Sequence, residues 1–119
     1  MHKLSSIDLP ASIKTIGSYA FAQCEALSKI VIPDGITSIG DNAFIYCYAL
    51  QKITLPNSLT TIGDYAFAGC EWLTNIMFNG TKEQWNNLSF GKEWDLYLNH
   101  YTITCNDGTI KINKGGLYI

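Results

Sequence analysis

Residues 33–55, PDGITSIGDNAFIYCYALQKITL, form the middle one of three consecutive 23-residue units; residues 10–32 and 56–78 are the others. Pro33, Ile39, Gly40, Ala43, Phe44, Cys47, Leu50 and Ile53 have identical counterparts one unit before and one unit after. Ile36 and Leu55 are matched by other apolar residues. A fixed period of this length is the signature of stacked coils, each burying its apolar positions against its neighbours.

One unit divides into recognisable pieces. Ile30 and Ile32 alternate with Lys29 and Val31, which is a short strand with isoleucines inward and the other two outward. Pro33 stops the strand because it has no N–H for a ladder, and Asp34-Gly35 is turn chemistry. Ile36 and Ile39 return to the core through a second short extended piece. Gly40 closes it, where the backbone needs either a positive φ or a close approach. Ala43, Phe44, Cys47 and Leu50 recur at i, i+1, i+4 and i+7, so the spacing predicts a short helix, partly 3₁₀, capped by Asp41 or Asn42. Stacking then makes an Ile ladder, a Phe ladder and a Cys ladder continuous through the molecule.

The recurrence of Cys24, Cys47 and Cys70 with the unit favours free core thiols. Stacked side chains point the same way, and three thiols cannot all pair. No C-x-x-C or H-x-x-x-H spacing suggests a metal, and no cofactor is expected. The chain of 119 residues is one domain by length, 47% hydrophobic, with eight lysines, no arginine and a net charge of −2. That composition is poor for gripping phosphates, so nucleic-acid binding is not expected. Neither a membrane span nor a secretory leader is visible.

The pattern L-x-x-I-x-I/L-P-x-x-I/L-x-x-I-G-x-x-A-F-x-x-C resembles the BspA-like class of leucine-rich repeats. Leu27, Ile30, Ile32, Pro33, Ile36, Ile39, Gly40, Ala43, Phe44 and Cys47 carry the resemblance, which covers residues 4–78. It implies an α/β solenoid, a right-handed superhelix with a parallel sheet inside and short helices opposite. It also implies an extracellular or cell-surface bacterial protein used for adhesion to host proteins or to the surface proteins of neighbouring cells. The expected organisation is a partial N-terminal repeat (1–9), three repeats (10–78) and a C-terminal cap with hairpin and short tail (79–119). Leu4, Ile7 and Leu9 match the second half of a unit, so the visible start reads as an excerpt of a longer array.

After Phe78 the pattern fails: Asn79 replaces the proline and Trp85 takes the position of Ile62. Thr81-Lys-Glu-Gln84 has capping-box spacing, predicting a helix from Lys82 with Trp85 and Leu88 on one face. Trp85, Leu88, Phe90 and Trp94 are material for a lid over the last coil. Residues 101–112 read as a hairpin turning at Asn106-Asp107-Gly108, and Leu117-Tyr-Ile119 as an apolar tail that docks or leads onward.

Catalysis is not expected. His2 and His100 recur with no acid or nucleophile, and no hydrolase, metalloprotease or dinucleotide motif is present. Asp41 and Asp64 stack, but at a cap position where carboxylates serve a helix N-terminus. Function therefore falls to outward positions. On the strand face, Lys29, Val31, Lys52, Thr54, Asn75 and Met77 form two columns that offer a strip for protein contact, with the paired lysines suited to an acidic partner. On the convex side, Tyr46, Tyr48, Tyr65 and Trp72 form an aromatic patch. It suits a protein interface or a glycan, or merely pads the coils. The sequence thus reads as a non-enzymatic protein-binding module, with a carbohydrate-binding module or a structural spacer as alternatives.

Overall fold

The computed structural model describes residues 7–114, and in it each 23-residue unit closes one turn of a three-walled solenoid. Leu4 and the tail at 117–119 lie outside the described residues. The first wall is a parallel sheet of two-residue strands: β1 (Thr15–Ile16), β3 (Ser38–Ile39), β5 (Thr61–Ile62) and β7 (Ser89–Phe90). The second holds β2 (Lys29–Val31), β4 (Lys52–Leu55), β6 (Asn75–Phe78) and β8 (His100–Cys105), also parallel. Here β9 (Gly108–Asn113) returns antiparallel along β8 and ends the sheet. Ile30, Ile53, Ile76 and Ile103 lie in one register row, and all four are buried.

The third wall corrects the sequence expectation of a helix in each unit. Residues 41–46 form consecutive turns, and the one helix among the described residues is α1 (Lys82–Asn86). Amides at alternate positions do different work. Ala43, Ile45 and Cys47 donate to carbonyls three residues back in their own coil. Asn42, Phe44 and Tyr46 donate to Asp64, Ala66 and Ala68 of the next coil, at 2.8–2.9 Å. A continuous helix would direct its amides along its own axis, and the alternate outward amides that bond the coils together would be lost. So short a segment has no helical stability of its own, and three-residue turns present the same apolar positions inward. Asn42 and Tyr46 accordingly adopt positive φ, as do Tyr19, Gln23 and Tyr65.

The interior holds no buried charged or polar residue among the described ones. Phe21, Phe44 and Phe67 stack with ring centroids 5.2 Å apart and nearly parallel planes. Gly40 and Gly63 do not have positive φ; a Cβ on Gly63 would lie 2.6 Å from the Asp41 amide nitrogen and 2.7 Å from the Gly40 carbonyl carbon. Close approach of successive coils is what requires glycine there.

The register also continues past Phe78. Ile62 pairs with Phe90, not Trp85, so the placement of Trp85 in the Ile62 column is corrected. The fourth coil carries α1 as an insertion, which delays its return to register. Gly91 then meets Gly63 and Asp64 as Gly63 meets Gly40 and Asp41, and the Phe67 and Gly69 amides reach Trp94 and Leu96. Helix α1 begins with the expected capping box, Gln84 N donating to Thr81 Oγ1 (3.1 Å) and Thr81 N to Gln84 Oε1 (2.8 Å). Trp85 packs edge-on to Phe78 at 5.4 Å, and Trp94 ends the Phe stack edge-on to Phe67 at 6.1 Å. The hairpin is pinned where Asp95 Oδ2 accepts a hydrogen bond from the Tyr101 hydroxyl (2.6 Å) and an ion pair from Lys114 (2.9 Å).

Candidate functional site

The outward strand residues meet as their alternation requires. Lys29 pairs in register with Lys52, and Lys52 with Asn75; Val31 pairs with Thr54, and Thr54 with Met77. Lys29, Val31, Lys52 and Thr54 line one groove of about 480 Å³, together with Asp8 and Leu9 of the partial unit. Val31 is 63% exposed there. Asn75 and Met77, half-buried, continue the two columns beyond the groove. Neither lysine has an acidic partner at ion-pair distance among the described residues. Two like charges on neighbouring strands repel, so this pair works against the fold that holds it. Asp8, 23 residues before Val31 in the partial unit, heads the column of Val31, Thr54 and Met77 as the repeat requires, and lines the groove beside them.

The aromatic residues divide. Tyr46 and Tyr48 stack at 5.9 Å with planes 29° apart. The Tyr46 ring lies over Gly69, where any Cβ would collide with it. Tyr48 and Trp72 both line a second, open groove of about 460 Å³, whose other lining residues are Glu25, Ser28, Ala49 and Gln51. Trp72 is 65% exposed and Tyr48 47%. Tyr65 is half-buried and does not line this groove. The offset that carries Trp72 back to Ala49 and Ala26 was the available signal for a trough here, since only one member of that column is large.

Cys24, Cys47 and Cys70 form the expected buried ladder, and these three and Cys105 in β8 are all free. Two thiols have a specific acceptor: Cys47 Sγ donates to the Phe21 carbonyl and Cys70 Sγ to the Phe44 carbonyl, both at 3.0 Å. Burial pushes the Cys24, Cys70 and Cys105 thiols above their ordinary range, Cys70 most strongly. The stacked carboxylates cap no helix. Asp41 Oδ1 accepts the Asp64 amide and Asp64 Oδ1 the Lys92 amide, both at 2.8 Å. His100 is exposed at the start of β8, and His2 lies outside the described residues. Among the described residues no cluster of three or more His, Cys, Asp or Glu side chains is placed to hold a metal.

The family described as BspA type leucine rich repeat region matches residues 1–114 in six copies. A leucine-rich cell surface protein from Faecalibacterium prausnitzii A2-165 is 40% identical over 69% of this chain, with a TM-score of 0.68. The leucine-rich-repeat protein of T. pallidum is 30% identical over 74%, with a TM-score of 0.63. The alignments span 22% and 39% of those two chains. No curated protein matches. No helix among the described residues is long and apolar enough to cross a membrane.

Proposed function

The chain belongs to the BspA-type leucine-rich-repeat family, and from that premise we propose that it is a non-enzymatic, protein-binding segment of a bacterial surface or secreted protein. Its binding face is the second sheet, with the Lys29–Lys52 groove as the centre and an acidic protein segment as the partner. The observation that carries this reading is the register pairing of Lys29 with Lys52. Both ammonium groups stand on a rigid sheet, with no acidic partner at ion-pair distance among the described residues. An anionic side chain lying across the strands would relieve their repulsion, and Val31 and Thr54 would supply apolar and hydroxyl contact beside it. Placement at the cell surface is supported by the description of the Faecalibacterium neighbour.

The test uses two defined probes, an extended Glu-rich peptide and its Gln counterpart. The Glu-rich peptide is expected to bind and the Gln-rich peptide to bind at least tenfold more weakly, with affinity falling as salt rises. The double variant Lys29→Glu/Lys52→Glu should lose the Glu-rich peptide and keep its melting temperature. Lys52→Glu alone should weaken binding yet raise stability by a few tenths of a kcal/mol, because it turns a like-charge pair into an opposite one. Equal binding of both peptides, or full binding by the double variant, removes the lysine groove as the site. Antibody labelling of intact cells tests the location; signal only after lysis would reject it.

A further inference from the structure

We propose that the trough between Tyr48 and Trp72 is a separate binding site for a neutral pyranose glycan. It stands on other residues and a different wall junction from the lysine groove. Tyr48 and Trp72 come from successive coils, offset by one column, so they form walls at two levels. Ala49 lines the step between them, because the column that holds Trp72 in the third coil holds alanine in the second.

Three features fix the chemistry of the occupant. The walls are aromatic, and the flat C–H face of a pyranose packs on such a ring while its edge hydroxyls stay free. The remaining polar groups are a carboxylate at Glu25, an amide at Gln51 and a hydroxyl at Ser28. The Glu25 carboxylate and the Gln51 amide between them accept and donate as sugar hydroxyls require. No lysine lies in the lining, and Glu25 repels anions, so uronic-acid and sulfated chains are excluded in favour of neutral ones. Size points the same way. The trough is open and shallow, as suits a sugar laid against exposed rings, and its six lining residues fall well short of the 20–30 residues per side of a standard protein interface.

The trough is also preorganised. Tyr46 braces Tyr48 from behind, and its own place is kept open by Gly69. The floor is a ladder rung, with Gln51 N donating to the Ser28 carbonyl at 2.8 Å. Trp72 keeps its ring in solvent, 65% exposed, at the edge of this trough.

The experiment is a titration of the intact chain with cellohexaose, mannohexaose, xylohexaose and chitohexaose, read by tryptophan emission and by calorimetry. At least one hexaose is expected to bind with an emission blue shift. Trp72→Ala should weaken that binding at least tenfold with the melting temperature unchanged. Ala49→Leu, which fills the step and removes no aromatic, should do the same. Lys29→Glu/Lys52→Glu should leave it intact, which separates this site from the protein-binding face. A blank panel overturns the proposal, as does binding that survives both Trp72→Ala and Ala49→Leu. Displacement by the Gln-rich peptide but by no sugar would reassign the trough to a protein partner.

Discussion

The carboxylate of Asp41 accepts the backbone amide of Asp64, its own counterpart one coil later, at 2.8 Å. Asp64 repeats the contact with Lys92. The same residue thus joins coil to coil instead of capping its own segment. The contact is possible because glycine precedes it: side-chain atoms on Gly63 would overlap Asp41 Oδ1 at 2.5 Å and the backbone beside it.

Two glycines at one repeat position should therefore behave oppositely. Gly63→Ala is expected to cost about 1–3 kcal/mol or more, since backbone must move to admit the methyl group. Gly17→Ala meets nothing within 4 Å and should be neutral or add up to about 1 kcal/mol, by reducing unfolded-state entropy. Urea melts of the two variants measure both. Equal effects would mean that glycine serves backbone conformation and not coil approach.

The Phe stack should carry a large share of stability. Phe44 is fully buried between Phe21 and Phe67, and Phe44→Ala should cost about 3–5 kcal/mol. A loss under about 1 kcal/mol in chemical denaturation would contradict the packing described.

Tyr19 holds φ at +61° with 62% of its surface in solvent. Left-handed backbone costs an ordinary residue about 1–2 kcal/mol, and asparagine much less. The equivalent position one coil later is Asn42. Tyr19→Asn is expected to stabilise the chain by about 0.5–1 kcal/mol, visible as a higher melting temperature; a lower one would show that the ring makes compensating contacts.

Alkaline pH should unfold the protein earlier than its carboxylates would suggest. Burial raises Cys24, Cys70 and Cys105 above their ordinary value of 9.0. Burial, then the bond to Asp95, raises Tyr101 above 10.0. Cys47, which its hydrogen bond with Cys70 lowers, works the other way; each of the four raised groups keeps its proton in the folded chain when the unfolded chain would lose it. Their contribution is complete below pH 9 and is lost as pH rises beyond it. Melting temperatures across pH 8–11 should fall, and less steeply in Cys70→Ala. Thiol titration should find none reactive in the native protein and four after denaturation. A flat pH profile would place the thiols in contact with solvent.

Much of this architecture was legible in residues 33–55. The strand at Lys29–Val31, the turn at Asp34-Gly35, the Phe and Cys ladders, the capping box at Thr81 and the return hairpin follow from patterns that depend on neighbours in sequence. What misled was the spacing of Ala43, Phe44, Cys47 and Leu50, which fits a helix and a run of turns alike. Periodicity reports which side chains face inward and is silent about where the amides between them donate. Likewise Trp85 matched Ile62 by counting, while pairing chose Phe90, because α1 delays the return to register.

The candidate sites were less legible still. The sequence determined, through its 23-residue period, which residues share a column, and so brought Lys29 to Lys52 and Cys47 to Cys70. Only the tertiary structure decided which columns are neighbours across a coil. It drew Tyr48, Trp72 and Glu25 into one trough and left Tyr65 outside it. The physical reason is that the lateral order of columns depends on left-handed residues at Asn42 and Tyr46 and on the coil-to-coil amide bonds they permit, and neither is written in hydrophobic spacing.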